Sequence, residues 1–298
     1  MPRPVRYHRL PTEQRNPRSQ DLDRLSVPAL LRLMNREDAQ VIRAVRRQLP
    51  HIARAIRLVT QCLRAGGRLF FVGAGTSGRL GIIEAAECPP TFQTPPSLVQ
   101  AIIAGGRRAV FRSREGAEDD RASAQRAVRQ HVRRGDVVAG IAASGVTPFV
   151  AAGLQAATGQ GACTIFVTCH PRAAISADVQ IRLAVGPELL TGSTRLKAGT
   201  ATKLVLNMLT LGTMVQQGKT YGNLMVDVRP TSRKLRARAV RIIQLVAHCP
   251  AHTAARWLDA AHGQVKPAIL MAREGLTYAM AQRRLSQHNG SLRHALTA

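Results

Sequence analysis

The run Arg68-Leu69-Phe70-Phe71-Val72 leads straight into Gly73-Ala74-Gly75-Thr76-Ser77-Gly78-Arg79-Leu80-Gly81, and this junction constrains the fold most tightly. The first five residues read as a buried strand. Leu80 to Glu87 can wind as a helix, which Pro89 and Pro90 are expected to stop. A strand, a turn of small residues and a helix start bring free backbone N–H groups and the positive end of a helix dipole together. That combination suits an anion such as a phosphate. Glu84 and Glu87, on the helix that follows, could do proton chemistry on whatever carries it.

The alternation recurs downstream. Strands are expected near residues 68–73, 98–104, 136–142, 163–168 and 179–185, with helices near 78–87, 115–133 and 147–158. Such a pattern implies an α/β fold, a parallel sheet with helices on both faces. Ahead of it, residues 1–26 are polar without an apolar period and are expected to wrap a surface. Leu30, Leu33, Val41, Val45, Ile52 and Ile56 keep helical spacing with a break at Pro50, which predicts two helices. Residues 199–216 read as a long apolar helix. Beyond Ser232 come short helices at 232–247, about 251–260 and 266–284, and the tail after Gln287 is expected to be loose. Three parts follow: an N-terminal segment with helices over 1–65, the α/β domain over 66–230 and a helical subdomain over 231–298.

A second turn of small residues, Ala143-Ser144-Gly145-Val146-Thr147-Pro148, follows the third strand and again opens a helix. In an open α/β sheet, turns at the carboxyl ends of strands gather around one crevice. Each turn alone also fits an ordinary helix cap. Together they point to a phosphosugar pocket, with Gly75, Thr76, Ser77, Gly78, Arg79, Ser144, Gly145 and Thr147 as candidate ligands. Neither is a nucleotide-binding P-loop, because no Gly-Lys-Ser/Thr follows. A third cluster, Gly186-Pro187-Glu188 through Thr191-Gly192-Ser193-Thr194-Arg195 to Lys197, places hydroxyls and cations before the long helix. It reads equally as a third anion-binding edge, with Ser193 as a candidate, or as simple capping.

The carboxylates divide by position. Glu87 ends its helix, where the dipole disfavours negative charge and suits a general acid. Glu118, in Ala117-Glu118-Asp119-Asp120, is expected near the start of the next helix, where the dipole favours the ionised form of a base, although its acidic neighbours push the other way. From the residues alone both also read as caps or surface charges. Among the nine histidines only His248 and His252 stand four apart, with Pro250 between them, and no H-E-x-x-H occurs, so neither a metal nor a cofactor is expected.

Composition narrows the class. The formal charge of +26 comes from 38 Arg and 5 Lys, a balance that suits nucleic acid or an anionic surface. The arginines are scattered rather than clustered, and aromatics make up only 3% of the chain. The excess therefore reads as compositional bias, and nucleic acid is not the expected partner. Five cysteines, odd in number and without a C-x-x-C pair, indicate reduced thiols in a cytoplasmic protein. Met1 to Arg6 lacks the apolar run of a signal peptide. The uncharged stretch from Val137 to Cys169 is cut by Gly145 and Pro148 into pieces too short to span a membrane.

With these residues in view, the chain resembles the N-acetylmuramic acid 6-phosphate etherases, a family built on a sugar isomerase (SIS) domain. Gly73 to Gly81 with Ala86-Glu87-Cys88-Pro-Pro-Thr-Phe92 carries the likeness. Thr12-Glu13-Gln-Arg15-Asn16, Asn35-Arg-Glu37-Asp38, Ala117-Glu118-Asp119, Lys197-Ala-Gly-Thr200 and Gly222 to Asp227 extend it over most of the chain. The resemblance implies a cytoplasmic homodimer without cofactors that cleaves the D-lactyl ether of a phosphorylated amino sugar in cell-wall recycling. It also implies that Glu87 acts as acid and Glu118 as base. Val146 stands where the family usually has Arg, His170 where it has Asn, and the basic charge departs from the family's usual acidic balance. The alternative is a regulator that senses sugar phosphates through an SIS domain without turnover. A DNA-binding regulator with an SIS sensor fits less well, because residues 1–65 resemble the etherase N-terminal segment.

Overall fold

The computed structural model describes residues 7–297, so the first six residues of the predicted polar wrap lie outside it. Two helices, α1 (Val27–Arg47) and α2 (Leu49–Arg64), precede β1 (Leu69–Gly73), α3 (Gly75–Phe92), β2 (Val99–Ile103) and α4 (Arg108–Phe111). Then come α5 (Arg121–His131), β3 (Val137–Ile141), α6 (Pro148–Gly159), β4 (Cys163–Thr168), β5 (Val179–Arg182) and α7 (Lys197–Gln216). The chain finishes in α8 (Arg233–Ala247), α9 (Ala251–Ala260), α10 (Val265–Glu274), α11 (Tyr278–Gln287) and α12 (Leu292–Thr297). Two compact units emerge. One holds the chain up to Ala85 with Ser97–Thr210; the other holds Ala86–Pro96 with Leu211 onward.

In the first unit the five strands are all parallel, in the order β2-β1-β3-β4-β5. Every residue of β1 and β3 is buried, which is why both read as unbroken apolar runs. One face of the sheet sends Phe70, Val72 and Val138 into a core with Ala124 and Val128 of α5 and Phe149 and Val150 of α6. On the other face α3 crosses Phe71 at Gly81. The chain leaves β1 for β2 on one side and returns to β3 on the other, so the order reverses between β1 and β3. Loops diverge at that point and leave a crevice at the strands' carboxyl ends.

Around this sheet the N-terminal segment runs as short 3-10 turns at Tyr7–Arg9, Pro11–Glu13, Pro17–Ser19 and Leu22–Arg24. Buried polar side chains pin it. The Asn16 amide donates to Glu37 Oε2 (2.8 Å) and to the Pro187 carbonyl (3.2 Å), and Ser19 Oγ donates to the Leu189 carbonyl (2.7 Å). Lys197 Nζ donates to the same Glu37 oxygen at 2.6 Å, and both side chains are almost wholly inaccessible. Burial alone would raise the Glu37 pKa, but donation from Lys197, Asn16 and Arg18 outweighs it and holds the carboxyl below its usual range.

The second unit is helical. Val226, Ile243, Leu258, Ile269, Leu270 and Leu292 share its core, with Trp257 packed against it. At its centre Lys266 Nζ donates to Asp227 Oδ2 (2.7 Å) and to the carbonyls of Gly218 (2.9 Å) and Gly290 (2.8 Å).

Four expectations are corrected. The helix after β1 does not stop before Pro89: α3 runs to Phe92 with both prolines inside its last turn and a half. The missing N–H groups forgo the bonds to the carbonyls of Ala85 and Ala86, but the turn beyond them is kept, and Gln93 N–H bonds the Pro89 carbonyl at 2.9 Å. The segment 115–133 splits into a 3-10 turn at Ala117–Asp119 and α5, whose N-cap Asp120 accepts from Ser123 N–H. The segment 266–284 breaks at Gly275 into α10 and α11, the second capped by Thr277. The tail is not loose, because α12 buries Leu292 and Ala295 in the helical core.

Replacing Lys197 with Met should destabilise the protein by about 3 kcal/mol at neutral pH, since Glu37 loses its closest partner while remaining buried. Because the folded Glu37 pKa is depressed, its contribution is full above the unfolded value and disappears as pH falls through the folded one. Urea denaturation at pH 7 and at mildly acidic pH should therefore show the gap between variant and parent narrowing in acid.

Candidate active site

The reversal between β1 and β3 holds a cleft of about 220 Å³. Its walls carry Ala74 and Ser77 from the first turn, Ser144, Val146 and Thr147 from the second, and Glu118 with Asp119 from the 3-10 turn before α5. Thr194 and Gly192 close it from the loop ahead of α7, and Thr12 and Glu13 from the N-terminal segment. The hydroxyls and carboxylate that the sequence scattered over more than a hundred residues thus share one cavity.

Each turn has a local physical cause. The first is tight because β1 and α3 touch backbone to backbone. A Cβ on Gly78 would come within 2.7 Å of the Gly73 carbonyl oxygen, so no larger residue fits. Helix α3 therefore starts immediately after the strand, and the N–H groups of its first turn have no acceptor within the helix. In the second turn Gly145 holds φ +78°, and a Cβ there would approach the Cβ of His170 to 2.7 Å. Val146 N–H donates to Ser144 Oγ at 3.4 Å. Thr147 is the N-cap of α6, yet its hydroxyl makes no capping bond. It is left available to a ligand.

The remaining predicted residues have other surroundings. Gly75 is exposed at the start of α3 and Thr76 lies against Gly199. Arg79 Nε donates to the Val110 carbonyl at 2.9 Å. Ser193 N–H bonds the Leu190 carbonyl, within the loop whose Gly192 and Thr194 reach the cleft. The start of α7 is capped internally. The buried Glu188 carboxylate accepts from the N–H groups of Lys197 (3.0 Å) and Ala198 (2.9 Å), so that helix end holds a fixed anion of its own. Glu87 stands on an exposed face of α3 and belongs to the second compact unit.

Glu118 departs from the expected electrostatics. It sits in the turn before α5 rather than in the helix. Desolvation by the cleft raises its pKa above the ordinary carboxylate value, and the charges of Asp119 and Glu115 add to the rise. The cleft also differs from a common phosphate site in its charge. Among the described residues lining it there are three carboxylates, Glu13, Glu118 and Asp119, and no lysine or arginine. Val146 occupies the wall of the second turn. Among the residues missed by sequence reasoning, Thr12 and Glu13 reach the cleft because Gly192 N–H bonds the Thr12 carbonyl at 3.0 Å. Their only signal was membership of a motif with no chemistry legible in it.

A parallel sheet in this order, with hydroxyl-bearing turns at its reversal, defines an SIS-type α/β domain. Residues 51–158 match the family model described as glucokinase regulatory protein N-terminal SIS domain. The chain is 52% identical over 274 residues to the N-acetylmuramic acid 6-phosphate etherase of Symbiobacterium thermophilum, covering 91% of each. It is 49% identical over 291 residues to that of Vibrio vulnificus, covering 97% of each. The chain belongs to the N-acetylmuramic acid 6-phosphate etherase family. Among solved structures, phosphoheptose isomerase from Neisseria gonorrhoeae aligns with 63% of this chain and 98% of its own at 18% identity and a TM-score of 0.49.

Since the lining lacks a cation, Val146→Arg should tighten the binding of inorganic phosphate about tenfold. Isothermal titration calorimetry on parent and variant measures this. Unchanged affinity would place the phosphate elsewhere.

Proposed function

We propose that the protein cleaves the D-lactyl ether of N-acetylmuramic acid 6-phosphate, releasing D-lactate and N-acetylglucosamine 6-phosphate. The observation that carries this reading is the single cleft at the β1–β3 reversal, where Ser77, Ser144 and Thr147 stand beside a carboxyl of raised pKa. Relatives about half identical over nearly the whole chain bear the etherase name. The phosphate is held by the free N–H groups of α3 and the three hydroxyls, fixing the far end of the sugar.

In the open-chain sugar the C1 aldehyde acidifies the C2 proton. Glu118 removes it as general base, and the electron pair left on C2 expels the lactate oxygen from C3 while Glu87 supplies a proton to that oxygen. The unsaturated aldehyde then adds water at C3 and regains a proton at C2 with the carboxyl roles reversed. Positioned proton transfer contributes about 10²–10⁴-fold per group. A raised Glu118 pKa strengthens the base, because a carboxylate that holds its proton more tightly removes one more readily.

The protein acts in the cytoplasm as a homodimer. Cysteines held as thiols rather than disulfides suit a reducing compartment, and exposed Leu31 and Ile42 on one side of α1 suit a subunit interface. Among the described residues no helix is long and apolar enough to cross a membrane.

Incubation with N-acetylmuramic acid 6-phosphate should release D-lactate in an enzymatic assay; no release would end the proposal. The division of roles is read in D₂O by NMR of recovered substrate. Glu87→Gln should still exchange the C2 proton while releasing almost no lactate, and Glu118→Gln should lose both. Exchange surviving only in Glu118→Gln would reverse the roles.

The pH profile provides a further check. As Glu118 must be ionised, kcat/KM should climb with pH through a pKa above the usual carboxylate value. Asp119→Asn removes a neighbouring negative charge, so this limb should move to lower pH. A limb that stayed in place would exclude Glu118 as the titrating base.

A further inference from the structure

A second cleft of about 770 Å³ lies along α1 in the first compact unit and shares no lining residue with the cleft at the β1–β3 reversal. Its size falls within the range of small-molecule sites. Five cationic side chains line it, Arg18, Arg36, Arg43, Arg47 and Lys197, against one carboxylate, Glu37. That carboxylate is fully engaged. It accepts from Asn16, Arg18, Gln40 and Lys197 and is buried beneath the cleft floor.

Arg36, Arg43 and Arg47 are different. Seven and four residues apart, they fall on one side of α1 and span about 16 Å along its axis. All three are exposed, and among the described residues none has an ion pair or hydrogen bond from its guanidinium. They flank the buried stripe of Val41, Ala44 and Val45, so α1 presents them at the rim of a concavity. Like charges this close repel, and an anion that enters relieves the repulsion while making charge-assisted, bidentate bonds. Three separate guanidinium groups over that length match several linked anionic groups better than one.

We propose that the α1 cleft is a second anion site, built for a small ligand carrying two or more phosphate groups and separate from the sugar-phosphate cleft. A finite concavity favours such a ligand over a nucleic-acid strand, which needs a basic track continuing across the surface.

Binding of inorganic tripolyphosphate and of ATP, each followed by isothermal titration calorimetry at constant ionic strength, tests the site. Parent protein should bind one equivalent saturably. The triple variant Arg36→Gln, Arg43→Gln, Arg47→Gln should lose at least about tenfold in affinity. A control of equal charge, Arg121→Gln, Arg126→Gln, Arg129→Gln on exposed positions of α5, should lose less than about threefold. Circular dichroism of each variant establishes folding. Binding should persist in Ser144→Ala, Thr147→Ala, which keeps the outcome independent of the proposed etherase activity. Equal affinity for the two probes would make the phosphate chain the recognised element; tighter ATP binding would make a nucleotide the ligand. Absence of saturable binding in the parent, or equal losses in the two triple variants, would overturn the proposal. A DNA oligonucleotide bound in proportion to its length and weakened equally by both sets would do the same.

Discussion

The ladder between β1 and β3, with Leu69 opposite Val137 and Gly73 opposite Ile141, ends both strands at one level. The turns carrying Ser77 and Ser144 thereby open at the same height and face the same crevice. Parallel pairing is demanding, because two fully buried strands must satisfy all their backbone groups in the ladder. Asp136, wholly buried beside the start of β3, helps to set it by accepting from Arg68 N–H (2.9 Å), the Arg68 guanidinium (2.7 Å) and Arg133 N–H (2.9 Å). A slip of one residue would turn Phe70 and Val72 away from α5 and α6 and separate the two turns.

A second constraint is the buried polar chain through Asn16, Glu37 and Lys197, with Glu188 capping α7 beside it. Buried charges of this kind are tolerated only when every lone pair finds a donor. Meeting that condition fixes the N-terminal segment, α1 and the start of α7 against each other. It also brings Thr12 and Glu13 to the cleft and neutralises the one acid beneath the arginines of α1. The cleft at the β1–β3 reversal and the basic cleft therefore depend on the same few hydrogen bonds.

Much of this was legible in the chain. β1, β3 and β4, buried almost throughout, betray themselves as apolar runs, and β2 and β5 at the sheet's edges also lie close to the positions expected. The small-residue turns were readable because backbone contact at Gly73 and Gly78 admits nothing larger. Errors arose where a local rule met a nearby helix end or a partner far away in sequence. Pro89 and Pro90 suggested a stop, but α3 continues to Phe92 with the loss of only the two bonds their N–H groups would have made. The tail beyond Gln287 lacked a long apolar period, yet Leu292 and Ala295 suffice to dock one short helix.

By itself the sequence determined the α/β order and the two small-residue turns that open α3 and α6, since each rests on interactions among neighbours in the chain. Tertiary structure alone decided that Glu118 leaves the helix dipole and is desolvated by the cleft. It alone decided that Glu188, and not a ligand, caps α7, and that the arginines of α1 rim a concavity. Charge and burial at those places come from residues distant in the chain, and spacing along a sequence carries no record of which side chains will share a cavity.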